Sequence, residues 1–573
     1  MKIFLEIYKN FKLAKYNKKF ILLYVFSFFN LFLEIFSLSL LLPIIGVLFD
    51  TSILDKYSFF KELILFINPL KIFLQIEEQK NLLGGLCTLY FIIIFIKNFF
   101  LYFIMKYMTK ITYNIGLELK SNFLSKIIDM SYLKINKHKL SGLITYNHNI
   151  ETIKESLTII LSTSIEFILI FGILFFLFFN SPQAMLMIFI IVFSLFLFNK
   201  FYLKERLTFF SSKIQVNEKE HINFLLTTLR GVKNIRLDDV KNYFLNKFKY
   251  HLNKSNEANY GFAILSGSMR LLIEIMTAGL ICILLIFFIL NDYKIEEIVA
   301  TLAIFLAGGL KILPSLNKIT VAYQSLEYSK DRLQDLNFFY IKNLNENKKI
   351  IPITFNENLE LKNLEFSYDN DKVVFKDSNF NFSKGDKIYI KGESGSGKST
   401  LMNIISGLIK SGEGELKIDG NNLVDEFKIL NLGYITQRPF FTSDTILNNV
   451  CFGQKKEDQN LDRAVECLKD ARIYDDIAKL PENLNTLLVN DGEGFSGGQL
   501  QRISLARLLY KNSDLMILDE FTNALDIENE DTILSTLFTK YKDKTIIIVS
   551  HKDYKDLKFD KKYSIKNKKI INI

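Results

Sequence analysis

Gly392-Glu393-Ser394-Gly395-Ser396-Gly397-Lys398-Ser399-Thr400 is the stretch on which the reading of this chain turns. Its glycines let the backbone curl so that successive N–H groups point at phosphate oxygens, and Lys398 sets a positive charge beside them. The Ser399 hydroxyl is placed for Mg²⁺, and Thr400 opens a helix whose N-terminal dipole adds to the pull on an anion. Leu359 to Tyr368 alternates as an edge strand would, and Lys387 to Lys391 reads as a buried strand leading straight into the loop. Alone, such a loop implies only that a nucleotide binds.

Further along, Leu515-Met516-Ile517-Leu518 is a continuous apolar run ending in Asp519-Glu520. A central parallel strand delivers side chains to its C-terminal edge in this way. Asp519 is expected to hold Mg²⁺ through water, and Glu520 to orient or polarise the water that attacks the γ-phosphate. Ile546 to Ser550, followed by His551, repeats the design with a side chain able to sense the γ-phosphate, and Gln437, after the strand Leu432 to Thr436, is a third such delivery. Gln437 is also a candidate Mg²⁺ contact. Between them lies Phe495-Ser496-Gly497-Gly498-Gln499, a second and weaker phosphate contact. It cannot reach the first within one chain, so two such domains are expected to face each other.

At 573 residues the chain exceeds one compact core. It is 49% hydrophobic and 23% charged, and the two kinds of residue are segregated: apolar runs precede about residue 325 and mixed sequence follows. Six runs are long enough for a bilayer-spanning helix, near 20–46, 82–105, 157–179, 183–203, 262–290 and 298–322. Only Asn180-Ser181-Pro182 separates the third from the fourth, which makes them a helical hairpin. The segments 106–156 and 199–260 are rich in Lys and Arg, whereas Asn291 to Glu297 is acidic, so the basic loops and both termini are expected in the cytoplasm. Both loops carry helix formers with apolar spacing near 3.6, as in Ile111 to Ile127 and Phe209 to Leu226. The helices should therefore continue past the membrane. Turns near His138–Asn149 and Asn223–Gly231 would then either dock on the nucleotide domain or be plain solvated hairpins.

The net charge of +10 lies largely in those loops, and no basic motif with interleaved aromatics points to nucleic acid. Cys87, Cys282, Cys451 and Cys467 have neither metal spacing nor a disulfide framework. Met1 to Lys19 is polar and Lys-rich, so no cleavable signal is expected. Charges within the apolar runs are costly unless paired or facing water; Glu34, Lys97, Glu166, Arg270, Glu274 and Lys311 are of this kind. Lys311 and Lys318, two turns apart, share a helix face. With Arg270 they could make a cationic wall for a phosphate or diphosphate headgroup. Equally open are a pairing of Arg270 with Glu274 and lysines that snorkel to the interface.

Taken together, these motifs resemble the ABC transporters of exporter type over the whole length of the chain. The resemblance implies a multi-domain membrane protein: an all-α six-helix transmembrane domain over 1–330, a linker over 331–357 and an α/β P-loop ABC ATPase domain over 358–573. By the same resemblance Tyr368 stacks on adenine, and Gly392 to Thr400 are Walker A and contact ATP. Gln437 is the Q-loop, and Asp491 to Gly494 is an acidic loop facing the intracellular loops. Ser496, Gly497, Gly498 and Gln499 of the signature contact ATP, Leu515 to Glu520 are Walker B, Asn523 to Asp526 the D-loop, and His551 the switch histidine. The signature opens with Phe495 where Leu is usual, and the D-loop with Asn523 where Ser is usual. With Glu520, His551 and Ser496 all present, a homodimer hydrolysing ATP with Mg²⁺ at both composite sites is implied. The membrane half, including Gly309 to Ile319, looks like flippases that turn polyprenyl-diphosphate-linked oligosaccharides across the bacterial inner membrane. An exporter of another lipid (lipid A-like), a peptide or a drug is the alternative. The segment 50–80, with amphipathic pieces such as Phe59 to Ile67, is either an external surface helix touching a lipid tail or a plain linker.

Overall fold

The computed structural model describes residues 8–9, 11, 13–41, 43–44, 78–138, 140–180, 182–290, 295–339, 350–368, 373–423, 427–489, 492–552, 554 and 557–573. The 50–80 segment, apart from its last three residues, lies outside them, as does Asp491. The chain divides into two units, Met1–Met130 with Lys137–Glu346, and Ser131–Asn136 with Asn347–Ile573.

The first unit is helical. A 3₁₀ turn at Leu13–Tyr16 opens α1 (Asn17–Ser39), followed by α2 (Glu78–Ile128), then, after the short α3 (Tyr132–Lys137) that groups with the second unit in all but its last residue, α4 (Leu140–Asn180) and α5 (Pro182–Phe198). A π turn at Asn199–Leu203 carries α5 into α6 (Lys204–Arg230), and α7 (Val232–Leu237), α8 (Lys241–Leu290) and α9 (Ile295–Phe339) complete it. Among the described residues, four helical stretches are long and apolar enough to cross a membrane: Leu13–Ser39, Leu83–Ile128, Gly142–Phe179 and Lys241–Leu290. The other two expected spans fall on α5 with its π turn and on α9.

At a rise of about 1.5 Å per residue, a helix such as α2 with its 51 residues far exceeds a bilayer core of roughly 30 Å. Its surface changes character along its length. Phe91, Phe95, Phe99 and Phe103 form an outward row at i, i+4 spacing, the face that lipid would cover. Further on, Ile111, Ile115, Leu119 and Phe123 turn inward and pack with Ile150 and Ile153 of α4 and Leu333, Leu336 and Phe339 of α9. α1 approaches α4 closely at Gly172, where a Cβ would lie 2.3 Å from Leu31 Cδ1 and the leucine side chain would have to shift.

The second unit carries a six-stranded sheet in the order β14-β13-β4-β12-β11-β8. Its strands are β4 (Lys387–Gly392), β8 (Leu432–Ile435), β11 (Leu515–Asp519), β12 (Thr545–Val549), β13 (Lys561–Lys566) and β14 (Lys569–Asn572), all parallel except β14. An antiparallel sheet of order β3-β2-β5-β6 joins β2 (Asn358–Ser367), β3 (Val373–Ser383), β5 (Glu413–Ile418) and β6 (Asn421–Asn422). The short β9 (Asp444–Thr445) and β10 (Leu487–Leu488) form a separate antiparallel pair, and the helices include α10 (Lys398–Ile405), α11 (Ile446–Val450), α12 (Leu461–Asp470), α13 (Tyr474–Ala478), α14 (Gly497–Lys511) and α15 (Ile527–Lys540).

Alternate residues of β11 enter two separate cores. Leu515 and Ile517 pack with Leu401, Met402 and Ile404 of α10, while Met516 and Leu518 pack with Ile503, Leu505 and Leu509 of α14. Since strand side chains alternate between faces, α10 and α14 cover opposite faces of the sheet.

Three expectations are corrected. The stretch 331–357 is not a linker throughout: Leu333, Leu336 and Phe339 keep α9 helical by burying one face, and Ile351–Ile353 form β1, paired parallel with β7 (Phe427–Ile429). The strand beginning at Leu359 is not an edge, because β3 and β5 flank it on both sides. His138–Asn149 mostly opens α4, and the piece of the first loop that groups with the nucleotide unit is Ser131–Asn136, whose Leu133 packs on the core beneath α10.

Candidate functional site

β4 ends at Gly392, the loop turns through left-handed Gly395 (φ 80°) and Gly397 (φ 105°), and α10 starts at Lys398. A Cβ at Gly397 would meet Val374 Cγ1 at 2.7 Å, so the turn demands glycine on both conformational and steric grounds. Lys398 is 5% exposed. Its ammonium donates to the carbonyls of Gly392 (2.8 Å) and Glu393 (2.9 Å) and lies 3.2 Å from His551 Nε2 and 3.6 Å from Glu520 Oε1. Burial pulls its pKa down from the ordinary lysine value, and the Glu520 and Asp519 carboxylates oppose that.

Glu520 stands in the left-handed region (φ 52°) just past β11. Its Oε1 lies 2.9 Å from His551 Nε2, and its Oε2 accepts from Gln437 Nε2 at 2.8 Å and from Asn523 Nδ2 at 3.1 Å. Three strand ends, bearing Gln437, Glu520 and His551, thus converge on one carboxylate. The turn bearing His551 is fastened behind the site: Lys552 pairs with Glu530, and Tyr554 donates to Glu530 Oε1 at 2.8 Å.

Asp519 is 3% exposed and hydrogen-bonds Ser399 and Tyr434, the latter at 3.3 Å. Burial raises its carboxyl above the usual range, with the Ser399 and Tyr434 bonds opposing. Among the described residues, no group of three or more His, Cys, Asp or Glu could hold a metal ion. One carboxylate beside one hydroxyl is instead the partial oxygen set that Mg²⁺ takes when nucleotide phosphates complete its shell. The residues present fit that ion. Gln437 meets Glu520 through its amide nitrogen, which leaves the carbonyl end as the one a metal would take.

Tyr368 sits beside the start of α10, its hydroxyl 2.9 Å from Thr400 Oγ1 and its ring edge-on to Phe366. The residue is 38% exposed. Ser396 is a loop residue whose buried hydroxyl lacks a hydrogen-bond partner. Ser496 is the N-cap of α14, with Gln499 closing a capping box: Gln499 N donates to Ser496 Oγ (3.2 Å) and Ser496 N to Gln499 Oε1 (2.9 Å). Gln499 therefore serves the cap, and Gly497 and Gly498 present first-turn N–H groups suited to an anion. Because α10 and α14 flank opposite faces of the sheet, Lys398 and Ser496 belong to different surfaces of the unit.

Two further residues bear on Glu520 that sequence reasoning missed. Asn523 was visible only as a departure from serine. Gln501 is 5% exposed and donates to the Gln437 backbone carbonyl at 3.0 Å, tying the signature helix to the loop that carries Gln437. Its place on the buried stripe with Ser504, Leu505 and Leu508 was the available signal.

The expected cationic wall in the membrane unit is not free charge. Lys311 Nζ lies 2.8 Å from Glu34 Oε1, and Lys97 holds Glu34 Oε2 at 2.7 Å. Lys318 pairs with Glu166 at 2.6 Å, and Ser315 donates to the same carboxylate at 2.6 Å. In so apolar a setting, ammonium groups take carboxylate partners from neighbouring helices. The Arg270 side chain lies outside the described residues.

Comparison with known proteins agrees with this geometry. Residues 20–307 match the family model of the ABC transporter transmembrane region, and residues 375–523 that of the ABC transporter. An ATP-dependent lipid A-core flippase of Wigglesworthia glossinidia brevipalpis is 26% identical over 76% of each chain. A protein of the same description from Pseudomonas fluorescens is 38% identical, over 35% of this chain and 34% of its own. A bacterial Atm1-family ABC exporter solved with ATP bound superposes with a TM-score of 0.79 at 16% identity, covering 97% of this chain and 95% of that one. Matched in both its membrane and its nucleotide-binding halves, the chain belongs to the ABC transporter family, as an ATP-hydrolysing transporter with a helical transmembrane domain followed by an α/β ATPase domain.

Proposed function

We propose that two copies of this chain form an ATP-driven lipid flippase of the bacterial inner membrane, with the ATPase domains and all termini in the cytoplasm. One observation carries the pairing: α10 and α14 lie on opposite faces of one sheet. A nucleotide gripped by both Lys398 and Ser496 must then take them from two chains. The phosphate loop would hold the phosphates, Tyr368 would face the base, and Asp519 with Ser399 and Gln437 would hold Mg²⁺. That ion would offset phosphate charge during transfer. Glu520, held by His551 and Gln437, orients the attacking water. Loss of the γ-phosphate removes the bridge between copies, and the pair reopens, a ligand-biased two-state change.

For the cargo we infer an amphipathic lipid with a phosphate-bearing, sugar-containing headgroup. The polyprenyl-diphosphate-linked oligosaccharide reading is supported by the Gly309 to Ile319 stretch of α9. A lipid A-like cargo is supported at least as well by the lipid A-core flippases among the relatives. Vesicles containing the purified protein and either labelled lipid test this. ATP-dependent movement of one of them, lost in Glu520→Gln, is expected. Stimulation of hydrolysis by a peptide, with neither lipid moved, would overturn the reading.

A further inference from the structure

We propose that Asn523 is a positioning residue for the catalytic carboxylate, resting on the assignment of Glu520 as the group that orients water. Glu520 offers two oxygens, and the structure divides its donors between them. Oε1 faces His551 and Lys398, while Oε2 is shared by Gln437 and Asn523. These donors differ in what carries them. Gln437 stands exposed on the loop after β8, and His551 on the turn after β12. Asn523 comes from the same turn as Glu520, because its backbone N–H closes that turn onto the Glu520 carbonyl at 3.3 Å.

That turn is firmly anchored. Phe521 and Thr522 are each 1% exposed, the Thr522 hydroxyl lies 3.0 Å from Tyr554 OH, and the Glu520 N–H donates to Val549 at 2.9 Å. Asn523 therefore keeps Oε2 fixed whenever the loop bearing Gln437 shifts, and the in-plane lone pairs of Oε1 stay turned toward the Lys398 side. Serine at this position would end one atom short of Nδ2 and could not reach Oε2 from the same backbone. Alanine has no donor. Aspartate keeps the shape but sets a second carboxylate against the first.

Steady-state ATP hydrolysis by the full-length protein in lipid tests this, using Asn523→Ala, Asn523→Ser and Asn523→Asp. A hydrogen bond to a charged group predicts a fall in kcat of about tenfold for Ala and Ser, and a larger fall for Asp, with KM for ATP and the unfolding temperature unchanged. In Gln437→Ala background the Asn523→Ala loss should differ from its loss in wild type, since both donors serve one oxygen. Unchanged kcat in Asn523→Ala, or a raised KM with kcat intact, would overturn the proposal. Glu520→Gln measured alongside separates the two readings: retained turnover there would refute the role of Glu520 itself, whereas its loss with an unaffected Asn523→Ala would refute only the positioning role.

Discussion

Glu520 Oε1 lies 2.9 Å from His551 Nε2, so the acid at the end of one strand and the histidine at the end of its neighbour form a single unit. In Glu520→Gln the amide keeps the shape and loses the charge. ATP binding should persist while turnover falls by about a thousandfold, the scale of positioned acid–base groups. Equilibrium binding and phosphate release, measured on one preparation, check this.

His551→Ala removes one holder of Glu520 and leaves Gln437 and Asn523 in place. A smaller loss follows, about a hundredfold in kcat, with nucleotide affinity nearly unchanged because Lys398 keeps its two carbonyl partners. Single-turnover hydrolysis reads it.

Asp519 gives a pH prediction. Burial raises its folded pKa above the unfolded value, so its contribution to stability is fully present below the unfolded pKa and is lost as pH rises through the folded one. At neutral pH the ionised, buried carboxylate weighs against the nucleotide-free fold. Asp519→Asn should therefore unfold at a higher temperature than wild type at pH 7 to 8, the gap narrowing toward about pH 4, while Mg²⁺-dependent hydrolysis is lost. Thermal melts across pH check the sign.

In the membrane unit one carboxylate serves two ammonium groups, with Lys97 and Glu34 side chains 8% and 4% exposed. Glu34→Gln would leave a buried and a partly buried cation together without their carboxylate and should destabilise by about 3 kcal/mol. Lys311→Met leaves the Lys97–Glu34 pair intact and should cost less. Melts in detergent rank the two, and the opposite order would contradict the pairing.

How much of this was legible in the sequence depended on the range of the signal. The phosphate loop and the strand Leu515 to Asp519 were readable because each is local: glycine spacing sets one, and an unbroken apolar run buried on both faces sets the other. Alternation from Leu359 to Phe366 identified a strand but not its neighbours, since an inner strand of a half-buried sheet alternates just as an edge does. The partners of Lys311 and Lys318 were not readable, because Glu34 and Glu166 lie on other helices far away in sequence and only packing brings them together. The convergence of Gln437, Glu520 and His551 could be anticipated from three strands ending alike. The donor from Asn523 could not, because it depends on how a four-residue turn closes.

The central claim is that each nucleotide is held by Lys398 of one copy and Ser496 of the other. Bound, non-exchanging ATP should be counted in purified mixed pairs of Lys398→Ala and Ser496→Arg chains, both carrying Glu520→Gln. One intact composite site per mixed pair predicts about one retained nucleotide per two chains, with none in either variant paired with itself. Mixed pairs that retain no more than the parent variants would contradict the account.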